Sequence, residues 1–166
     1  AHQVLEDARS TVAKQLGTDS LKVVFTSGAT EGISAIIRYW SSQYPKGTIA
    51  ITPFEHACVN ENTRIAFHNR VLVIPPEVIL SPEQQLARWI KSHPECVAMV
   101  TTAAHNESGL ILPLPAIIKI CDENKMPHLI DAAQWIGRLH TKDMATLGSW
   151  IVSSAHKYGG PAGMGW

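Results

Sequence analysis

The sequence is poor in cysteine and in net charge, and each shortage closes off a class of reading. It holds three cysteines in 166 residues, Cys58, Cys96 and Cys121, far apart and with no CxxC pair. That spacing argues against a disulfide framework or a zinc site, and the odd count fits a reducing compartment. Fourteen basic residues balance 14 acidic ones, and no basic run stands out. Nucleic acid and an anionic membrane are therefore not expected partners. No apolar run approaches the roughly 20 residues needed to span a bilayer. Ala1-His2-Gln3 is not the start of a signal peptide, so a cytoplasmic location is expected. A GxGxxG or Walker pattern is absent, which leaves little for a nucleotide-binding reading. So are internal repeats, low-complexity segments and linkers, and residues 1–166 read as one domain.

What remains is an ordinary globular composition, 45% hydrophobic, long enough to bury a sizeable core. Apolar residues at Leu5, Ala8, Val12 and Leu16 recur at helical spacing, predicting a helix over 3–16 that Gly17 ends. Residues 22–26 read as a strand. A small-residue turn then opens a helix with the face Ile33, Ile36, Ile37 and Trp40. Strands follow at 48–51, 70–74, 96–101, 128–131 and 149–153. Helices lie between them at 57–67, from Ser81 onward, at 115–124 and at 142–147. Ser81, Pro82 and Gln84 look like a capping box with proline in the first turn. Strand and helix alternate without a hairpin signal, which predicts an α/β fold of three layers, with helices on both faces of a mostly parallel sheet.

Parallel sheets of this kind bind ligands at the carboxyl ends of their strands. The predicted strand ends carry, in order, Ser27-Gly28-Ala29-Thr30, then His56, then only prolines, then Asn106, then Asp131 with Gln134, and last Ser154, His156 and Lys157. Taken singly, each has a bland reading. The Ala29-Thr30 turn is a common helix start, His56 a satisfied structural histidine, Asn106 a turn former, Asp131 a helix cap, and Lys157 a surface lysine before a glycine-rich turn. The alternative is that backbone N–H groups and the Thr30 hydroxyl cradle a phosphate. Asp131, at the end of an apolar strand, then needs a cationic partner. Lys157, among hydroxyls and glycines, suits a lysine that forms an imine with a carbonyl cofactor. Convergence of polar groups at five of the six strand ends favours the second reading over the first.

The segments Thr26-Ser27-Gly28-Ala29-Thr30-Glu31, Glu55-His56, Asn106-Glu107-Ser108-Gly109, Asp131-Ala132-Ala133-Gln134 and Ser154-Ala155-His156-Lys157, with the tail Gly160 to Gly165, resemble the class V aminotransferase family in order and spacing. Within it they are most similar to the cysteine desulfurases, which use pyridoxal 5'-phosphate (PLP). The resemblance covers essentially the whole chain. It implies that Lys157 holds the cofactor as an internal aldimine and then serves as acid and base at the substrate α-carbon. It implies that Asp131 pairs with the pyridinium nitrogen, and that Gln134 and Asn106 lie at the phenolic oxygen. His56 stacks on the ring and shuttles protons, while Ala29, Thr30, Ser154 and His156 hold the phosphate. His56 and Lys157 are thus the implied catalytic pair, and no metal is implied. The implied substrate is L-cysteine, converted to L-alanine with its sulfur passed to an enzyme persulfide for iron–sulfur or thio-cofactor assembly. Asn-Glu-x-Gly at 106–109 resembles the iron–sulfur branch, although His105 departs from the small or amide residue usual there.

The same resemblance implies parts that this sequence does not carry. They are a C-terminal loop with the nucleophilic cysteine, a small second domain, an arginine for the substrate carboxylate, and most of an antiparallel strand between the first and last parallel strands. The chain is therefore expected to be a partial PLP-binding large domain, truncated at both ends and marginal alone. Only the beginning of the antiparallel strand is expected, at Met164-Gly165-Trp166. Cys58 does not match the family nucleophile and reads as a packed thiol. A homodimer is expected of the full-length enzyme, with a sulfur-acceptor protein as a candidate partner. Two alternatives stay open: another class V PLP enzyme, such as a selenocysteine lyase or an aminotransferase, and a catalytically silent folding or dimerisation module.

Overall fold

The structure is a computed structural model that describes residues 2–140 and 150–166. Its centre is a five-stranded sheet in which every pairing is parallel. The strands are β1 (Thr48–Ile51), β2 (Val71–Val73), β3 (Cys96–Thr102), β4 (His128–Asp131) and β5 (Trp150–Val152), in the spatial order β2-β1-β3-β4-β5. Helices α1 (His2–Leu16), α2 (Ala29–Gln43), α3 (Ala57–Ala66), α4 (Pro76–Leu80), α5 (Pro82–Ser92) and α6 (Leu114–Glu123) connect or flank them.

Side-chain alternation along the strands divides the core in two. Ala50 of β1, Met99 of β3 and Ile130 of β4 face one layer, where they meet Val78 and Ile79 of α4, Leu86 and Ile90 of α5, and Ile117 and Ile118 of α6. Ile49 and Ile51, Ala98 and Val100, and Leu129 face the other, against Ile33, Ile37 and Trp40 of α2 and Val59 of α3. Strands buried on both faces read as continuous apolar runs, which is why these segments were clear in the sequence. The expected three-layer α/β fold is the one observed.

Three details differ from expectation. Residues 22–26 do not form a strand of the sheet. Ser20–Lys22 is a 3₁₀ turn capped by Asp19, and only Thr26 pairs, in an antiparallel bridge to Gly165. A strand requires a neighbouring ladder, and among the described residues the short tail is what pairs with this segment. Its other support comes from α1: Arg9 donates to the Val23 carbonyl, and its guanidinium lies 5.1 Å from the Phe25 ring centre. The Ser81 capping box is also absent. Ser81 sits between α4 and α5 and makes no side-chain cap bond, because the pair of prolines that seemed to close β2 instead opens α4, with Pro76 in its first turn. Leu5, expected on the buried face of α1, is 45% exposed; Leu16 and Ala13 do the packing. The expected helix at 142–147 lies outside the described residues.

The tail does begin an antiparallel strand. Gly165 bridges Thr26 on one side and Ser154 on the other. Ser153 and Trp166 exchange backbone bonds of 2.9 and 3.2 Å, and Ala155 N–H donates to Met164 O at 2.9 Å. Register aligns the carboxyl ends of the strands, with Thr102 opposite Asp131 and Asp131 opposite Val152.

Candidate active site

The loops that leave this aligned edge bring most of the candidate residues together. β5 ends in Ser153 and Ser154, both buried. Ser154 Oγ accepts the Ala29 N–H at 2.8 Å, joining the last strand to the first turn of α2. That turn is ordered by Glu31, whose carboxylate accepts the Ser27 N–H at 2.6 Å. This bond holds the Glu31 carboxyl below its ordinary range. Thr30 is exposed at the same turn, and His156 is exposed on the 3₁₀ turn Ala155–Tyr158. The result is a small cluster of donors around the N-terminus of a 15-residue helix.

Lys157 is half-buried on that 3₁₀ turn. Its N–H donates to Ser154 O at 3.1 Å, and its carbonyl accepts from Arg138 Nη2 at 2.9 Å. Arg138 also donates to Gln134 Oε1 at 2.5 Å. A chain of contacts thus runs from Gln134 through Arg138 to the lysine backbone. Nearby, Gly137 lies so close to Tyr158 that an added Cβ would stand 2.4 Å from the Tyr158 Cβ. Among the described residues no carboxylate forms an ion pair with Lys157, which leaves its amine free for chemistry.

Asp131, at the end of β4, is 6% exposed. Its Oδ1 accepts the Ala133 N–H at 3.0 Å. Burial raises its carboxyl above the ordinary value, and the Ala133 N–H, His56 and Lys157 pull it partly back. His56 and Lys157 therefore lie within electrostatic reach of one buried carboxylate. His56 is the N-cap of α3, with Nδ1 accepting the Cys58 N–H at 3.1 Å. A backbone N–H can only donate, so Nδ1 is bare and the ring hydrogen sits on Nε2. Asn106 stands apart, exposed in the loop after β3, where His105 N–H donates to Leu110 O and Gly109 N–H to His105 O. His105 touches the end of β1 through Phe54, ring centres 6.1 Å apart.

Glu55 and Arg138 are two neighbours of the site to which sequence reasoning gave no role. Their partners are largely backbone atoms, Thr102 N and Lys157 O, which no residue pattern marks. The signal available was modest: an acid beside His56, and an arginine four residues after Gln134. Glu55 is 8% exposed, and burial, with a smaller push from the field of Asp131, raises its carboxyl to about 8. Cys58 is half-buried beside the Thr30 hydroxyl, with its thiol raised by burial and by Asp131. Burial raises Cys96 to about 11, and raises Cys121 further. Among the described residues no group of three or more His, Cys, Asp or Glu is arranged to hold a metal ion.

Two buried groups give the fold an unusual acid–base signature. Glu55 in the fold keeps its proton up to about pH 8, against 4.5 when unfolded. Its contribution to stability is full below 4.5 and is lost as pH rises toward 8. His128 is 3% exposed, with Nε2 2.7 Å from Thr101 Oγ1. Burial lowers it to about 3, against 6.5 when unfolded. Its contribution is full above 6.5 and is lost as pH falls toward 3. Each slope is about 1.4 kcal/mol per pH unit, and the two cancel between 4.5 and 6.5. Urea midpoints are expected to vary least across that window, where the contribution of Asp131 remains, and to fall more steeply on either side. Glu55→Gln should lessen the alkaline fall, leaving the part due to Asp131, whose carboxyl burial also raises, and His128→Leu should flatten the acid limb.

The sheet order, the strand-end cluster and the half-buried Lys157 call for comparison with known proteins. The sequence matches Aminotransferase class-V over residues 1–166. The chain belongs to that family. It is 33% identical over 173 residues to a protein named probable cysteine desulfurase, mitochondrial, from Dictyostelium discoideum, covering 99% of this chain and 37% of the relative. Among solved structures it superposes on one titled "SspA in complex with cysteine" with a TM-score of 0.85 at 26% identity, covering 98% of this chain and 48% of that one. A NifS-like protein gives a TM-score of 0.84 at 31% identity, covering 96% and 45%. The chain thus spans about two fifths of the length of the curated relatives it matches.

Proposed function

We propose that this chain forms the cofactor-binding part of a PLP-dependent cysteine desulfurase. The observation that carries the reading is Asp131: a buried carboxylate that receives one internal N–H and lies within reach of His56 and Lys157. A buried carboxyl with no ion-pair partner among the described residues fits the protonated ring nitrogen of PLP. The donors around the start of α2, with Ser154 and His156, fit its phosphate. PLP held there supplies an electron sink for the bonds around the α-carbon of a bound amino acid.

The protein's own residues would then divide the work. Asp131 keeps a proton on the ring nitrogen. Ser154 holds the Ala29 N–H and so fixes the turn that meets the phosphate, with Thr30 and His156 as the exposed donors. Lys157 attaches the cofactor through its Nζ and moves the proton at the substrate α-carbon. His56, with Nδ1 committed to the α3 cap, offers its ring face and an Nε2 hydrogen. Gln134 and Asn106 are assigned to the phenolic oxygen. Substrate identity is inferred from the relatives: one is named a cysteine desulfurase and one neighbour is titled as a cysteine complex. The reaction converts L-cysteine and a thiol into L-alanine and a persulfide. Relatives named IscS support supply of that sulfur to iron–sulfur assembly. A homodimer and a separate sulfur-acceptor protein belong to the same proposal. Among the described residues no helix is long and apolar enough to cross a membrane. A cytoplasmic location is a further part of the proposal, and the Dictyostelium relative is named mitochondrial.

A second reading has one observation in its favour. All three cysteines have thiols raised by burial, and a raised thiol is a poor nucleophile. The chain then binds PLP without turning over cysteine. One experiment separates the two. The protein is incubated with PLP, reduced with borohydride and mapped by peptide mass, and a parallel sample receives L-cysteine and dithiothreitol. Label on Lys157 is the result both readings predict, and alanine release, with dithiothreitol as the thiol, is what the desulfurase reading adds. Label without alanine favours the silent module, and label scattered over surface lysines contradicts both.

A further inference from the structure

Glu55 is the most deeply buried ionisable group at the site edge for which the mechanism above has no use. Its Oε1 accepts from Thr52 Oγ1 at 2.5 Å, just past the end of β1, and from the Thr102 N–H at 2.7 Å, at the end of β3. Its Oε2 is buried with no hydrogen-bond partner among the described residues. Its own carbonyl receives Asn60 Nδ2 of α3 at 3.4 Å. The next residue is His56, whose carbonyl accepts the Val59 N–H at 2.9 Å and whose ring caps the helix. One side chain therefore ties two adjacent strand ends to the link at 52–56 that carries the histidine.

We propose that Glu55 is a positioning residue of the cofactor site, holding His56 in place by clamping the ends of β1 and β3 to the start of α3. The proposal rests on the PLP reading for its functional meaning, but the clamp stands on the hydrogen bonds alone. A simple link between strands could use any small polar residue. A buried carboxyl with an orphaned oxygen costs stability, and that cost is expected only where a particular arrangement is being held. The groups facing it are Asp131 from β4 and the Cys58 thiol from α3. Ionisation of Glu55 puts a charge on a buried carboxyl that burial and the field of Asp131 both disfavour, and the clamp loosens.

Amide hydrogen exchange in the wild type, Glu55→Ala and Glu55→Gln tests this without relying on turnover. Loss of a helix cap is worth about 1 kcal/mol, so protection at the Cys58 N–H, which bonds to His56 Nδ1, should fall about fivefold in Glu55→Ala. Protection at the Thr102 N–H should fall at least as much. Glu55→Gln should restore both, since its amide oxygen can accept the same bonds. Above pH 8, protection at Cys58 should fall in the wild type and hold in Glu55→Gln. PLP affinity, read from absorbance, should weaken about tenfold in Glu55→Ala and recover in Glu55→Gln, the size expected for one or two lost hydrogen bonds. Unchanged Cys58 protection in Glu55→Ala overturns the proposal, and so does a Glu55→Gln protein with the pH profile of the wild type. If Glu55→Ala does not fold, that pH comparison decides alone. If PLP binds neither wild type nor variants, the cofactor reading fails, while the exchange data still decide whether Glu55 holds His56.

Discussion

Lys157→Ala is expected to abolish covalent retention of PLP while leaving the fold intact. The side chain is half-buried and forms no ion pair among the described residues, and its backbone bonds to Ser154 and Arg138 survive truncation. Its removal therefore opens no core cavity, and a surface-like change of stability within about 0.5 kcal/mol is expected. Asp131 loses one of the cations that offset its burial. Denaturing gel filtration after borohydride treatment should find no cofactor on the variant. Pyridoxamine phosphate, which cannot bond to the lysine, should still bind through the donors near Ala29, Thr30, Ser154 and His156. Covalent label persisting in the variant would move the attachment point to another residue.

Gly165→Ala is the second large effect, and it acts on the frame of the site. A Cβ on Gly165 would stand 2.5 Å from Gly28 Cα, 2.6 Å from Ser153 O and 2.7 Å from Gly28 C. All three are backbone atoms, so no flexible side chain can swing away. The tail would have to separate from Thr26, losing the reciprocal bonds of 2.8 and 2.7 Å, or from Ser153. Overpacking of this kind costs about 1–3 kcal/mol. It wedges apart the two segments that meet through the Ala29–Ser154 bond, so PLP affinity should fall with the melting temperature. Met164→Ala is the control: its side chain is 47% exposed, and little change is expected in either quantity.

The sheet was legible in the sequence where burial alone decides structure. Thr48–Ile51 and His128–Asp131 are apolar runs covered on both faces, and their predicted and observed bounds coincide. Residues 22–26 carry an apolar pattern that corresponds to neither burial nor pairing: Val23 is buried but Val24 is 67% exposed, and only Thr26 finds a bridge. Pro75-Pro76 was read as a stop, and Pro76 is a first-turn helix residue, a case in which one residue type serves both ends of an element. The candidate site was visible as residue types gathered at strand ends. What the pattern could not carry was the wiring between them, since Ser154 to Ala29 N, Glu55 to Thr102 N and Arg138 to Lys157 O each join a side chain to a backbone atom distant in sequence.

The most direct test of the central claim is a crystal structure of the protein grown with PLP. The account predicts phosphate density at the start of α2, between Thr30, Ser154 and His156. The ring nitrogen should face Asp131, and density should run continuously to Lys157 Nζ. Cofactor bound elsewhere, for instance in the 300 Å³ cavity near Tyr44, His93 and Lys125, with the strand ends empty, would contradict it.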